Sequence, residues 1–430
     1  MSQAPVATTA RPLGLWSATA LVVGSMIGSG VFLLPASLAP YGAASLLGWG
    51  ITLFGAIVLA LTFCKLSARW PQTGGPYVYA RNGFGDATGF VIAWSYWISV
   101  WCANAAIAVA FAGSIGAVFP ALTATPLRSA GCALGALWLC TAVNLAGMRE
   151  AGRMQLVTTV LKVIPLLVFG AVALWFVDGT QYTPFNRSGE PMAHVVQATV
   201  ALTLWAFLGL EAATIPAGAI DDAPRTIPRA TILGTLLAGV ATILACTVVL
   251  GLLPADVVKT SQAPMADAAR TLWGPAAGIG LAVVAAISTF GALNGWVLVS
   301  GQVPLAAAQD GMLPARFARL DANGTPVFGI VASSTLASLL VLANFSHSLV
   351  ELFTFSILLS TAATLLPYVS SSAAWLRTGE RKGRIVAAIA LAYSLYALYG
   401  TGAESLLWGA ALLLAGLPVF LFMRLRARPA

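Results

Sequence analysis

Long apolar runs separated by short polar segments fill the chain from end to end. Each run is long enough to cross the hydrocarbon core of a bilayer, which takes about 20 residues in an α-helix. A membrane β-barrel would instead show short segments of alternating polarity. The pattern therefore predicts an all-α integral membrane protein with twelve transmembrane helices. Their approximate ranges are 13–37, 43–65, 89–119, 127–147, 155–177, 196–219, 230–253, 276–306, 327–344, 350–375, 385–400 and 404–423.

The first run contains a stretch that is a poor helix former. Residues 22–35 have the sequence VVGSMIGSGVFLLP, with Gly24, Gly28 and Gly30 close together. Glycine lowers helix stability by roughly 1 kcal/mol relative to alanine. Backbone that leaves the helix at membrane depth is tolerated only where it lines a cavity or packs against protein. We therefore expect a break in the first span.

The sixth run is interrupted in the same way. Residues 203–219 have the sequence TLWAFLGLEAATIPAGA, with Gly209, Glu211 and Pro216 near the middle. Two broken helices at corresponding places are the best sequence pointer to a transporter binding site. We expect one transmembrane domain over 1–430. Its parts are a first repeat over about 13–177, a second over about 196–375 and extra helices over about 385–423.

Two polar loops give a further sign of this repeat. Residues 68–89 and 307–327 both form Gly- and Pro-containing segments between apolar runs. Their similar composition suggests that they occupy matching places in the two halves.

The two breaks offer complementary chemistry. Unpaired N–H groups of Gly28, Ser29 and Gly30 would lie at the N-terminus of a half-helix, which attracts anions. Freed carbonyls between Ala206 and Gly209 would suit an ammonium group. Together they would bind the two charged ends of an α-amino acid. The alternative is that the glycines only allow close helix packing.

Composition and charge agree with a membrane protein. The chain is 59% hydrophobic and 8% charged, against about 25% charged residues in soluble domains. With the N-terminus inside, 17 Lys and Arg residues fall on the cytoplasmic side and four outside. This asymmetry predicts that both termini are cytoplasmic, in a multi-pass protein of the bacterial inner membrane. The first ten residues are expected to be a disordered tail and not a signal peptide.

The chain contains no motif for nucleotide binding or for catalysis. There is no Walker loop, dinucleotide fingerprint or nucleophile elbow. We therefore expect no cofactor, no metal site, no nucleic-acid partner and no enzymatic activity. The expected partners are a small amino acid or amine and the lipid bilayer, while a coupled proton and a homodimer stay open.

Several segments resemble the amino acid–polyamine–organocation transporter family, and most of all its arginine/agmatine and putrescine/ornithine antiporter branch. The resemblance covers nearly the whole chain and implies a five-plus-five inverted repeat with two further helices, as in the leucine-transporter fold. The segments are GSMIGSGVFLLPASLA, GGPYVYAR, SYWISVWCANAAIAV, TLWAFLGLEAA, APRTIPRATILGT, GWVLVSGQ, AAQDGMLP and YSLYALYGTGAES.

The resemblance implies a set of substrate-binding residues. Backbone groups of the first break would bind the carboxylate, and carbonyls of Met26, Trp205 and Leu208 the amine. Trp205 would cap the substrate on its outer side, and Trp296 would lie against its side chain. Tyr96 would act as a gate and Asn104 as a polar contact. The full expected set is Met26, Ile27, Gly28, Ser29, Gly30, Tyr96, Asn104, Trp205, Leu208, Gly209 and Trp296, with Glu211, Lys162, Tyr96 and Trp205 in coupling or gating.

Two charged residues lie deep inside predicted spans. Ionisable residues at such depth are costly and are taken as functional by default. Glu211 is expected to take up and release a proton during transport, and the resemblance to the antiporter branch implies a pH-sensing or coupling role for it. Lys162 departs from the arginine/agmatine branch and resembles the lysine of other family members, bridging spans through carbonyls and the hydroxyls of Ser288 and Thr289. It could be a proton carrier or a structural charge, and in either role it argues against sodium coupling.

Other departures from the branch affect the substrate. Ile357 and Leu358 stand where the arginine/agmatine antiporter has a serine pair. Ser25 and Ile107 replace an asparagine and a methionine, and Val78 replaces a glutamate of the putrescine/ornithine branch. The leading hypothesis is exchange of a cationic amino acid for its decarboxylated amine. The alternative is a proton-coupled permease or exporter for neutral amino acids.

Overall fold

The computed structural model describes residues 14–72, 74–146, 148–214 and 220–426, and the regular structure in these ranges is helical. Short 3₁₀ turns at 39–44, 120–122, 174–176, 179–182, 205–207 and 212–214 join or extend the α-helices. The α-helices are α1 (Leu15–Met26), α2 (Ser29–Leu38), α3 (Ser45–Arg69), α4 (Pro76–Phe84), α5 (Asp86–Val118), α6 (Pro126–Leu145), α7 (Met148–Ala173), α8 (Met192–Leu204), α9 (Ala223–Leu252), α10 (Ala255–Thr260), α11 (Pro264–Trp273), α12 (Pro275–Gln309), α13 (Val327–Ala343), α14 (Leu349–Thr378), α15 (Arg381–Gly400), α16 (Gly402–Leu414) and α17 (Leu417–Arg426).

The apolar helices are those of a multi-pass membrane protein. Eight helical segments of the described chain are long and apolar enough to cross a bilayer. The segment Leu15–Arg69 has 55 residues, which is enough for two passes. Three shorter apolar helices, Leu161–Phe176, Met192–Phe207 and Val327–Ala343, add to these.

The last predicted span, 404–423, is not one straight helix. It consists of α16 and α17, with a turn at 415–416 between them. Pro418 lies at the second position of α17, where a proline is tolerated. In a helix interior it would lack the N–H for the helical hydrogen bond and would clash with the preceding turn. The indole of Trp94 donates a hydrogen bond to the Leu412 carbonyl at 2.9 Å. Both features explain why the span bends here.

Helix α5 forms the centre of the bundle. In its most apolar stretch, 89% of the residues are buried, which is more than in any other candidate span. Alanines at 103, 105, 106, 108, 110 and 112 are at most 4% exposed, so neighbouring helices approach its backbone closely. Residues of α5 hydrogen bond to α14 through Ser95 and Ser99. The central position of α5 brings its residues against both interrupted segments.

The two ends of the bundle differ in character. At one end of the bundle, which we call the arginine-rich end, α3 and α14 finish beside α4. There Arg69 donates to the Thr378 carbonyl and Arg377 donates to the Gly83 carbonyl. At the opposite end, named here the loop end, the segment 178–190 lies over the turn that precedes α3, and the Ala44 N–H donates to the Phe185 carbonyl at 2.8 Å.

Candidate functional site

The first span breaks at its glycines. Helix α1 ends at Met26, and Ile27 is extended with φ −79° and ψ 95°. Gly28 follows with φ −135° and ψ −129°, and α2 begins at Ser29 without a side-chain cap. The first N–H groups of α2 therefore lie at an uncapped helix N-terminus inside the bundle. Such a terminus attracts negative charge.

The sixth span breaks as well. Helix α8 ends at Leu204, one 3₁₀ turn follows, and Leu208 is extended with φ −64° and ψ 134°. Gly209 has φ +100°, a conformation that side chains disfavour, and a Cβ there would lie 2.9 Å from the Ser25 Cβ. Glycine is thus required both for the turn and for the approach to α1. Pro216, also expected to help the break, lies outside the described residues.

The two breaks meet at a narrow cavity of about 20 Å³. A Cβ on Gly30 would lie 2.9 Å from Cδ1 of Trp205, which shows how closely the two interrupted segments approach. Helices α5, α12 and α14 close the remaining sides. The lining residues are Ser25, Met26, Gly28, Ser29, Gly30, Ser99, Ala103, Ile107, Trp205, Leu208, Trp296, Ser360 and Thr364.

The lining carries hydroxyls and indoles but no ionisable side chain among the described residues. The Ser29 hydroxyl is buried and has no hydrogen-bond partner within the part of the chain described. By contrast, Ser25, Ser360 and Thr364 donate to the backbone carbonyls of Leu21, Ser99 and Ser360. Ser29 is therefore the lining hydroxyl that is left for a ligand.

The structure brings seven of the eleven expected binding residues to the cavity: Met26, Gly28, Ser29, Gly30, Trp205, Leu208 and Trp296. Ile27 and Gly209 form the backbone of the breaks without lining it. Asn104 lies on α5 beside the lining residue Ala103 and is fully buried. Its amide oxygen and nitrogen have no partner among the described residues.

Sequence reasoning missed several lining residues. Ser99 and Ala103 come from α5, and Ser360 and Thr364 from α14. Ile357 was expected near the substrate but is buried elsewhere, and Leu358 lines a separate cavity at the loop end. Helix α14 carries serine, threonine and leucine on all sides, so its sequence does not indicate which face meets the cavity.

Glu211 lies next to the cavity and joins three parts of the bundle. Its Oε1 accepts a hydrogen bond from the Tyr96 hydroxyl at 2.8 Å. Its Oε2 accepts one from the Tyr368 hydroxyl at 2.7 Å and one from the Gly209 N–H at 3.2 Å. The carboxylate thus connects α5 and α14 to the second break. Tyr96 was expected as a gate, whereas Tyr368 had no sequence signal.

Lys162 contacts α1 just before the first break. It is fully buried, and its Nζ donates a hydrogen bond to the Gly24 carbonyl at 2.6 Å. The expected hydroxyl partners are arranged differently. Ser288 Oγ has no partner in the described chain, and Thr289 Oγ1 donates to carbonyls of its own helix. The Lys162 side chain therefore joins α7 to the last turn of α1.

Comparison with known proteins gives the same family. The model of the amino acid permease family matches residues 13–423. The chain is 32% identical to the cadaverine/lysine antiporter of Escherichia coli (strain K12), over 85% of this chain and 83% of that protein. It is 32% identical to the putative arginine/ornithine antiporter of Bacillus subtilis (strain 168), over 95% of this chain and 96% of that protein.

A third relative is the putrescine transporter PotE of Escherichia coli (strain K12), which is 30% identical over 97% of this chain and 96% of that protein. All three relatives are transporters of amino acids or amines by name, and each is matched over most of its length. The chain therefore belongs to the amino acid permease family within the amino acid–polyamine–organocation superfamily.

Proposed function

We propose that the protein is a secondary active antiporter that exchanges a cationic amino acid for its decarboxylated amine by alternating access. The observation that carries this proposal is the cavity between the two helix breaks. It combines an uncapped helix N-terminus, a free hydroxyl and two tryptophans around one cavity. The antiporter names of the relatives support the exchange of amino acids and amines.

In the proposed binding mode, the first turn of α2 and the Ser29 hydroxyl bind the substrate carboxylate. Carbonyls of Met26 and Leu208, both at the breaks, accept hydrogen bonds from the α-ammonium group. The cationic side chain lies against Trp296, since an aromatic face attracts a cation. Trp205 covers the substrate from the loop end. A decarboxylated amine would keep the contacts to the carbonyls and to Trp296 and lose only those to α2.

The substrate pair is tested by counterflow in proteoliposomes. We propose arginine and agmatine as the first pair, and the names of the relatives make lysine with cadaverine and ornithine with putrescine the necessary comparisons. Vesicles loaded with labelled amino acid should release it only when one of these amines is present outside. Equal release into buffer without any amine would contradict exchange.

A neutral amino acid permease remains the second candidate. Two observations favour it: the described lining residues include no carboxylate that would pair with a cationic side chain, and Lys162 already places a positive charge near the first break. Uptake of alanine or leucine driven by a proton gradient, with no response to internal amine, would select this function. In both cases we expect transport without sodium, because the Lys162 ammonium bonds directly to the first break.

We also propose a twelve-helix topology with a five-plus-five inverted repeat and both termini in the cytoplasm. A matched pair of elements supports it. Helix α4 begins at Pro76 and ends before Gly85 (φ 91°, ψ 179°), where α5 follows. Helix α11 begins at Pro264 and ends before Gly274 (φ 86°, ψ 179°), where α12 follows. In the proposed repeat, the counterpart of the loop 68–89 is the segment around α11, in place of the segment 307–327.

For coupling, we propose that Glu211 exchanges a proton as the cavity changes access. Its three donors come from α5, α14 and the second break, so a change in its charge acts on all three. Tyr96 and Trp205 then gate the cavity from opposite sides. The proton-carrying or structural role of Lys162 is tested by whether Lys162→Met abolishes only the pH response or the transport itself.

A further inference from the structure

Helix α4 lies across the arginine-rich end and is held there by side chains of distant elements. Its Tyr77 is only 4% exposed, although the helix follows a polar loop. On the side facing α14, a Cβ on Gly83 would lie 2.7 Å from the Ala374 Cβ, so the two helices are in close contact. Arg377 of α14 donates to the Gly83 carbonyl at 3.1 Å.

On its other side, α4 is bound to the end of α12. One oxygen of Asp310, Oδ2, accepts a hydrogen bond from the Tyr77 hydroxyl at 2.7 Å and pairs with Arg81 Nη1 at 2.9 Å. The Nε of Arg81 pairs with Asp86 Oδ1 at 2.8 Å. Arg81 thus bridges the carboxylates at the end of α12 and the start of α5.

The hydrogen bond from Tyr77 is the stronger part of this cluster. The side chains of Arg81 and Asp310 are 35% and 39% exposed, and ion pairs so open to solvent contribute little. Tyr77 is buried, and a hydrogen bond from a buried donor to a charged acceptor is costly to lose. Burial and the neighbouring Asp310 carboxylate raise the pKa of the Tyr77 hydroxyl, so it stays protonated as a donor.

Within the described residues, the matching helix at the loop end, α11, is not held in this way. The ionic contact of α11 joins Asp267 and Arg270 within the same helix. Its other carboxylate contact comes from Ser261, six residues earlier in the same segment. The polar contacts that tie a short helix to a distant span are thus a property of the arginine-rich end.

We propose that Tyr77, Arg81 and Asp310 form a latch that keeps the cavity closed toward the arginine-rich end and must release before it opens there. The latch joins α4 to α12, and Arg377 joins α4 to α14. Both α12 and α14 line the cavity, so separation at this end must move α4 away from at least one of them. The proposal rests on the alternating access of the proposed function.

The experiment measures how often the arginine-rich end opens. Ser371 is fully buried on α14, one turn beyond Tyr368 toward the arginine-rich end. A Ser371→Cys variant, with the five native cysteines replaced by alanine, is purified in detergent and treated with a polar maleimide. Its cysteine should react only when that end opens. The orientation of the protein does not matter, because in detergent the reagent reaches both ends.

Asp310→Ala should speed this reaction by about tenfold, and Tyr77→Phe by a smaller factor, because each removes the hydrogen bond between Tyr77 and Asp310. The control Asp86→Asn removes only the pairing of Arg81 with a 76% exposed carboxylate, and it should stay within about twofold of the parent. Thermal unfolding of each variant checks that it is folded. If Asp310→Ala does not fold, Tyr77→Phe decides.

An unchanged reaction rate in the folded latch variants would overturn the latch, and so would an equal increase in Asp86→Asn. The measurement needs no substrate. A chain that shows the expected rates but no counterflow would contradict the proposed exchange and leave the latch in place. A chain that exchanges normally but shows equal reaction rates in all variants would contradict the latch and leave the proposed exchange in place.

Discussion

The side chains at the cavity fall into two groups by position. Ser29, Trp205 and Trp296 line the cavity, whereas Glu211 bonds to the second break and Lys162 to the last turn of α1. Neither ionisable group lines the cavity. We infer that charge in this protein acts on the shape of the site, and that the substrate meets mainly dipoles, hydroxyls and indoles.

Glu211→Gln should flatten the pH dependence of exchange. The carboxylate accepts hydrogen bonds at both oxygens, from Tyr96, Tyr368 and Gly209. A glutamine amide has one acceptor and one donor group, and it cannot titrate, so it mimics only one protonation state. Exchange is measured in proteoliposomes across about pH 5 to 8, the range in which physiological pH switches change their charge. Glu351→Gln, which changes an exposed carboxyl at the loop end, is the control. An unchanged profile in Glu211→Gln would exclude the coupling role.

Trp296→Leu should weaken binding of the cationic side chain. A cation over an indole face is worth about 0.5–2 kcal/mol, which corresponds to a rise in KM of about two- to thirtyfold. The matched control is Trp408→Leu, since Trp408 is 54% exposed on the outer surface of the bundle. Leucine fills part of the space, so the protein should stay folded. If neutral amino acids are the substrates, KM should change much less, and this would favour the second candidate function.

At the scale of helices, the breaks follow from glycine positions and determine where the cavity lies. Gly28 and Gly30 flank the start of α2, and Gly209 makes the turn after α8. The two interrupted segments contact each other at Gly30 and Gly209, where a larger side chain would clash. The cavity therefore depends on backbone conformation as much as on the side chains that line it.

Gly30→Ala should reduce exchange by about tenfold, because overpacking forces neighbouring groups to shift. The new Cβ would lie 2.9 Å from Trp205 Cδ1, and Trp205 packs edge to face against Phe353 at 6.4 Å, which limits its retreat. Gly50→Ala is the control. Gly50 is exposed on α3 with nothing within 4 Å of an added Cβ.

The control should leave exchange unchanged and raise stability by about 0.5–1 kcal/mol, the usual gain for alanine over glycine in a helix. Counterflow rates and melting temperatures of both variants are compared in the same lipid. Full activity in Gly30→Ala would show that the close approach of the two breaks is not needed for transport.

Helix positions were largely predictable, and helix faces were not. Apolar length indicates where spans lie, and the glycines at 28, 30 and 209 indicate where two of them break. The short helices α4 and α11 were missed because nine or ten residues of mixed polarity give no length signal. Ser360 and Thr364 were missed because the composition of α14 is similar on every face. Tyr368 meets Glu211 from 157 positions away, a contact that only the folded chain shows.

The protein as a whole is polarised along the membrane normal. The arginine-rich end carries the latch cluster and the side-chain contacts of Arg69 and Arg377, whereas the loop end carries the longer segments and two open cavities. This polarity agrees with the asymmetry of lysine and arginine along the sequence. Helices are oriented in bacterial membranes so that short basic loops stay in the cytoplasm.

We therefore expect the arginine-rich end to face the cytoplasm, and single cysteines can test this. Glu190 and Ala315 are both exposed, the first in the loop-end segment 178–190 and the second in the loop after α12 at the arginine-rich end. In a background without native cysteines, a membrane-impermeant maleimide should label Glu190→Cys in intact bacteria. It should label Ala315→Cys only after the membrane is permeabilised, because the reagent cannot reach the cytoplasm. The reverse pattern would invert the topology, and the latch would then close the protein toward the outside.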